Sequence, residues 1–370
     1  MKKLTAMLLA LAMVMSLAAC GASEPTQETE APVSEAAETE APAADATETE
    51  APADDAGETE APAVEPVTLN VAYMANWGAL WAVATADAKG YFAEEGITLN
   101  MTVFEDGPTE IAAMESGSMD VAYIGPGAHK LCSTGNAEVF LLQHLGDGDC
   151  IIGLNGIQTL EELAGKKIGY AAGTSSETIL LTALDSVGLT LDDVEALSMD
   201  ATALTTAALS GAVDAVAAWS PYSLTILEEA ENATDICSNV DFANLVSPGS
   251  WVVNPKWADE NADVLVRFIR AMYKGMDYAA AATTDDAVAE EVAGYIAKVI
   301  ASDAETVIGQ RYDGSWKTSA EIVEMLNSGE IIRIYADQQA TFIASDTVDG
   351  ETALSPETFV LTDLMQSAAE

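Results

Sequence analysis

The chain has 370 residues, of which 60 are Asp or Glu, 14 are Lys or Arg and 2 are His, for a formal net charge of −46. A balance this acidic excludes nucleic-acid binding by phosphate neutralisation and opposes docking on an anionic lipid surface. Removing residues 1–66 takes away 14 of the 60 acids and 2 of the 14 bases, so the remaining 304 residues still carry about −34, enough chain for two lobes of about 150 residues.

Lys2 and Lys3 precede an uncharged apolar stretch from Leu4 to Leu17, and small residues lead into Cys20. That order is a cleaved secretory signal, and the stretch is short for a permanent membrane span. Leu17-Ala18-Ala19-Cys20 resembles the lipobox of bacterial lipoproteins. The resemblance implies that residues 1–20 are a lipoprotein signal peptide. Cys20 would then carry lipid as the first mature residue, anchoring the protein on the extracytoplasmic face of the cell membrane by that lipid alone. Residues 21–66 repeat Glu-Thr-Glu-Ala-Pro from Glu28, Glu38, Glu48 and Glu58, with no base and almost no large apolar side chain. Such a segment cannot bury a core, and its charge and prolines extend it, so it reads as a disordered tether.

The folded domain is expected over 67–370. Leu69 to Tyr73 predicts a strand, Leu80 to Lys89 an Ala-rich helix stopped at Gly90, Leu99 to Phe104 a second strand and Ile111 to Ser116 a short helix. Asp120 to Ile124 and Val139 to Gln143 predict further strands. After residue 155 the pattern restarts. Thr159 and Glu162 have capping-box spacing, Lys167 to Tyr170 and Val213 to Ala218 read as strands, and Thr178 to Val187 reads as a helix closed by Gly188. From Asn261 the chain is mainly helical, with Val264, Leu265, Phe268, Ile269 and Met272 at helical spacing. Alternating strands and helices predict two α/β units with mostly parallel sheets. Cys132, Cys150 and Cys237 are odd in number and form no Cys-x-x-Cys, which argues for buried thiols over disulfides or zinc.

Several segments are similar to the nitrate/sulfonate/taurine-type solute-binding proteins of ABC importers, a family that includes thiamine-precursor binders. They are Lys89-Gly90-Tyr91-Phe92 through Ile97, Met114 through Gly127, Leu160 through Gly169, Gly173-Thr174-Ser175-Ser176, and Ala208 through Trp219, in family order. The resemblance implies an α/β two-lobed periplasmic-binding-protein-like fold (type II, Venus flytrap) with two inter-lobe crossovers, near Cys150–Asn155 and Ser247–Val253. Lobe 1 would span about 67–152 plus 250–370, and lobe 2 about 153–249. It further implies a monomer that is not an enzyme, delivering a small organic solute, sulfonate- or taurine-like, to an ABC permease. The open alternatives are a pyrimidine or other amine as ligand, or a sensory or enzymatic domain on the same scaffold.

Ligands of α/β sheets collect beyond the carboxyl ends of parallel strands. That placement, with the family loops, nominates Trp77, Gly125, Pro126, Gly173, Thr174, Ser175, Ser176, Trp219, Tyr222 and Trp251 as ligand contacts. The hydroxyl-rich helix start at Thr174–Ser176 suits an acidic group, and Trp77 and Trp219 suit an organic body. Two departures stand out. The family's Trp-Glu-Pro is Trp219-Ser220-Pro221, and Gly146-Asp147-Gly148-Asp149 replaces small neutral residues. Asp147 joins the candidates: a carboxylate in the cleft would disfavour a bare anion and favour an amine or zwitterion. His129 and His144 have no metal-ligand spacing, and no nucleophile elbow or phosphate loop occurs, so no metal, cofactor or catalytic residue is expected.

Cys20→Ser is expected to release the protein into the medium or leave it unprocessed; a variant still membrane-bound at mature size, on fractionation and immunoblotting, would exclude lipidation at Cys20.

Overall fold

The computed structural model describes residues 65–243 and 245–370. The expected signal peptide, Cys20 and the repeats of the expected tether lie outside the described residues. Eleven strands follow in chain order: β1 (Val67–Met74), β2 (Ile97–Phe104), β3 (Val121–Ile124), β4 (Glu138–Gly146), β5 (Cys150–Gly153), β6 (Lys167–Tyr170), β7 (Glu195–Ser198), β8 (Ala215–Ala218), β9 (Thr234–Ser238), β10 (Pro248–Val253) and β11 (Gly314–Trp316). They form two sheets, ordered β11-β4-β10-β3-β1-β2 and β7-β6-β8-β5-β9.

The expectation of mostly parallel sheets is corrected. β1 runs parallel to β2 and β3, and β6 to β7 and β8. β5 is antiparallel to both its neighbours, and so is β10, while β11 is antiparallel to β4. β5 and β10 are the strands that directly follow each passage between sheets. A chain arriving from the other lobe enters its new sheet from the cleft side, against the direction of strands reached through a helix.

The passages occupy residues 147–149 and 239–247, just ahead of the expected positions, because Cys150–Gly153 and Pro248–Val253 are already strands. The two connections are bonded side by side. Gly146 N–H donates to the Ser247 carbonyl at 2.7 Å, Asn239 N–H to the Asp149 carbonyl at 2.9 Å, and Asn239 Nδ2 to the Gly146 carbonyl at 3.0 Å.

Each lobe has its own core. In lobe 1 the helix Ala262–Ala279 buries Val264, Leu265, Phe268, Ile269, Met272 and Met276. The Phe268 ring lies 5.0 Å from Phe92, 5.3 Å from Trp251 and 5.5 Å from Phe140. In lobe 2, Ile151 packs with Ile168, Ile179 and Leu184 on one face, and Ile152 with Leu204, Val216 and Ile226 on the other. Neighbouring strand residues point to opposite faces, so β5 reads as an unbroken apolar run because both faces are covered. Cys132, Cys150 and Cys237 are all free and buried.

One packing contact in lobe 1 sets a clear test. Gly275 brings the helix Ala262–Ala279 against the helix Val83–Ala88, where an added Cβ would lie 2.4 Å from the Ala82 carbonyl oxygen and 2.9 Å from Ala86 Cβ. Alanine gains about 1 kcal/mol of helix propensity over glycine. Overpacking against backbone costs about 1–3 kcal/mol and should win. Gly275→Ala is therefore expected to lower the urea midpoint, and an unchanged or higher midpoint would contradict this packing.

Candidate ligand-binding cleft

The two crossing connections and the loops at the strand ends enclose a cavity between the lobes, with about 710 Å³ of empty space including its mouth. Lobe 1 contributes Met74, Asn76 and Gly78 after β1, Asp106, Gly107 and Pro108 after β2, and Tyr123 to Ala128 around β3, apart from Ile124. His144 on β4 and Gln310, Asp313 and Trp316 around β11 complete that side. Lobe 2 contributes Thr174, Ser175, Trp219 and Ser220, and the crossings contribute Gly146, Gly148, Asp149 and Ser247. Every charged lining residue is an aspartate: Asp106, Asp149 and Asp313. No Lys or Arg reaches the wall.

Asp149 is 7 % exposed. Its Oδ1 accepts from Ser175 Oγ at 2.5 Å and its Oδ2 from Ser247 Oγ at 3.1 Å. Burial pushes its carboxyl up to about 6, against the pull of these two hydroxyls. Burial likewise pushes the Asp313 carboxyl up to about 6, and Asp313 Oδ2 and Ser220 Oγ are buried with no hydrogen bond of good geometry. His144 is 5 % exposed, and burial lowers it to about 3, so it is neutral at physiological pH. Its ring stacks on Tyr123 at 6.0 Å and tilts against Trp316 at 4.7 Å; its Nε2 sits 3.4 Å from the Tyr123 hydroxyl, and its Nδ1 has no partner.

Glycines let these parts approach. At Gly127 an added Cβ would fall 2.0 Å from the Thr174 backbone, where the lobe 1 turn meets the lobe 2 helix. At Gly249 it would fall 2.1 Å from the His144 ring. An ion pair between Lys130 Nζ and Glu177 Oε2, at 2.6 Å, joins the lobes behind that turn.

Of the residues nominated from sequence, Gly125, Pro126, Thr174, Ser175 and Trp219 line the cavity. Six do not. Trp77 is fully buried beneath the cleft, its N–H donating to Gln310 Oε1 at 2.9 Å and its ring 6.4 Å from Trp316, the ring that reaches the cavity in its place. Trp251 is also fully buried, its indole donating to Gln143 Oε1 at 3.1 Å on the core side of β10. Ser176 bonds inside lobe 2, donating to the Ala217 carbonyl at 2.7 Å. Gly173 (φ 84°) shapes the turn and packs near Pro108. Asp147 sits on the crossing with its N–H on the Asp313 carbonyl, one turn away from the lining residue Asp149. Tyr222 lies edge-on to Trp219 at 5.5 Å and lines a second hollow with it.

Asn76, Tyr123, His144, Ser247, Gln310, Asp313 and Trp316 were not nominated. For Asp313 and Trp316 the sequence held one signal, the Asp313-Gly314 turn interrupting a segment read as helical. Among the described residues, no helix is long and apolar enough to cross a membrane, and no group of three or more His, Cys, Asp or Glu is placed to hold a metal ion.

Comparison with known proteins places the chain in a family. A protein of Brucella abortus, named provisionally as a binding protein, is 28 % identical over 298 residues, covering 80 % of this chain and 91 % of its own. The taurine-binding periplasmic protein of Escherichia coli is 25 % identical over 211 residues, covering 56 % of this chain and 65 % of its own. The chain's fold is similar to that of the alkanesulfonate-binding protein SsuA of Xanthomonas axonopodis bound to MOPS, with a TM-score of 0.60 at 18 % identity, covering 80 % of this chain and 99 % of that one. It is also similar to the desulfurization enzyme DSZB, with a TM-score of 0.57 at 14 % identity, covering 82 % of this chain and 98 % of that one. The NMT1/THI5-like family pattern matches residues 80–284, more than half of the chain, and the chain belongs to the NMT1/THI5-like family.

Proposed function

We propose that the chain is the extracytoplasmic solute-binding component of an ABC importer, and that its solute is an amine-bearing organic molecule with a flat or apolar body. The observation that carries this reading is the wall: three aspartates and no basic side chain. A cationic group on the ligand would pair with Asp149 and Asp313 and make both carboxylates less costly to ionise. Trp219, Trp316, Tyr123 and His144 supply ring surface for the body, where a cation over an indole is also favoured. An arylalkyl ammonium has both features, and an aminopyrimidine offers the flat body with N–H donors for the aspartates.

A second reading rests on the taurine-binding relative. Taurine's ammonium would suit the aspartates, and its sulfonate would have to use the helix start at Thr174–Ser175. A simple alkanesulfonate has nothing for the aspartates. An enzymatic role like that of the DSZB neighbour finds less support: none of Cys132, Cys150 and Cys237 lines the cavity.

Calorimetry on the domain from residue 67 should detect binding to a member of a panel of aminopyrimidines and aliphatic amines and none to nitrate or ethanesulfonate. Trp219→Ala should weaken that binding roughly tenfold or more, at 1.4 kcal/mol per decade. Tight binding of ethanesulfonate with no amine bound would reverse the reading.

The perturbed carboxyls add a pH test with opposed signs. Asp149 is held at about 6 when folded against an ordinary 3.8, so it favours the folded ligand-free protein below about pH 4 and loses that contribution as pH rises through 6. Buried neutral His129 and His144, both near 3, slope the other way between about 3 and 6.5 and mask the effect in the parent alone. The comparison with Asp149→Asn removes them: without ligand, the variant should gain stability relative to the parent from pH 4 to pH 7. Over the same range the parent should bind an aliphatic amine more tightly, because the aspartates ionise while the ammonium stays charged. Affinity independent of pH between 5 and 7 would show that neither carboxyl pairs with the ligand.

A further inference from the structure

Asp149 occupies a position that its chemistry makes unusual. The helix Ser175–Ser186 points its start at the cavity, and Ser175 is its first residue. In an anion-binding cleft that hydroxyl would face the ligand. Here it donates to Asp149 Oδ1 at 2.5 Å. The other carboxylate oxygen takes the hydroxyl of Ser247 from the second crossing. A negative charge supplied by the chain thus sits at the positive end of the helix, where the macrodipole favours it. A second anion there would meet both like charge and donors already engaged. The 95 % buried ring of His144, whose Nδ1 has no partner, lines the same cavity and marks it independently as a place for a ligand.

We propose that Asp149 is the charge-selecting residue of the cleft: it acts as a built-in anion bonded to the hydroxyl of the first helical residue, and its removal converts a cavity that refuses small anions into one that accepts them. The proposal rests on the reading of the cleft as amine-binding, and it adds a mechanism for rejection. Selectivity then comes from an occupied donor set, not from the sum of negative charge around the cavity. Asp313 packs beside Ser220 and Gly148 of the first crossing and takes no hydroxyl from the helix start, so its charge should not substitute.

The test uses ethanesulfonate and inorganic sulfate as probes, with calorimetry on the parent, Asp149→Ala, Asp149→Asn and Asp313→Asn. Asp149→Ala removes the charge and frees both hydroxyls. It is expected to gain ethanesulfonate affinity over the parent by roughly tenfold to hundredfold, the worth of one or two charge-assisted hydrogen bonds. Asp149→Asn keeps the shape and the acceptor, so it should gain less, and its thermal melt guards against misfolding of the alanine variant. Asp313→Asn should gain nothing. Equal gains in Asp313→Asn and Asp149→Ala, or no gain in either Asp149 variant while both melt cooperatively, would overturn the proposal. The amine panel separates the two claims. A parent that binds an amine beside an Asp149→Ala that gains no anion defeats the selectivity mechanism alone. A parent that binds no amine beside an Asp149→Ala that gains ethanesulfonate defeats the amine reading alone.

Discussion

The structure turns on a single buried carboxylate. Asp149 lies on the first crossing, takes one hydroxyl from the second crossing and another from the first helix of lobe 2 that faces the cleft. Burying a charge is unfavourable unless hydrogen bonds compensate it, and these two contacts do so at a position where three chain segments must meet. The same bonds fix the floor of the cavity. The backbone bonds of Gly146 and Asn239 hold the crossings in register beside it. Cleft geometry, the meeting of the lobes and the sign of the local field therefore depend on the same few atoms.

The sequence carried the lobes well and the cleft in part. Strand and helix positions were legible because buried strands are short apolar runs and helix starts carry caps: Thr159 and Glu162 do form a capping box. The loops Gly125–Gly127 and Thr174–Ser175 were legible because small and hydroxylated residues follow predicted strands. What was not legible is direction. Trp77 and Trp251 lie beside cleft loops in sequence, yet both rings turn into the lobe 1 core. A position near a strand end does not say which face the side chain takes, and a one-residue change reverses it. Asp147 and Asp149 show the same limit at a crossing, where only the second lines the cavity.

The distant contributors were hidden for another reason. Gln310, Asp313 and Trp316 come from a segment far along the chain, after three-quarters of the sequence, and reach the cleft only because β11 adds to the edge of β4. No local pattern encodes a pairing of such sequence separation. Their effect on the site is large. Trp316 contacts Trp77, Trp81 and His144, so the aromatic wall is continuous with the core beneath it. A cavity rim backed by packed rings holds its shape, which limits the ordering that a ligand must impose.

The place of β10 in the first sheet has a consequence for how the molecule is made. β10 lies between β3 and β4, which do not touch, yet residues 147–247 separate it from β4 in the chain. A chain emerging from its N-terminus thus completes all five strands of lobe 2 while the first sheet still has an empty slot in its middle. Two apolar strand edges stay open until Pro248–Val253 arrives, and open edges are templates for mispairing. The lobe that begins first in sequence finishes last: its sheet is joined by insertion of the interior strand β10, and only the edge strand β11 is added after it. The interval during which the nascent chain most needs protection is therefore the synthesis of its second lobe.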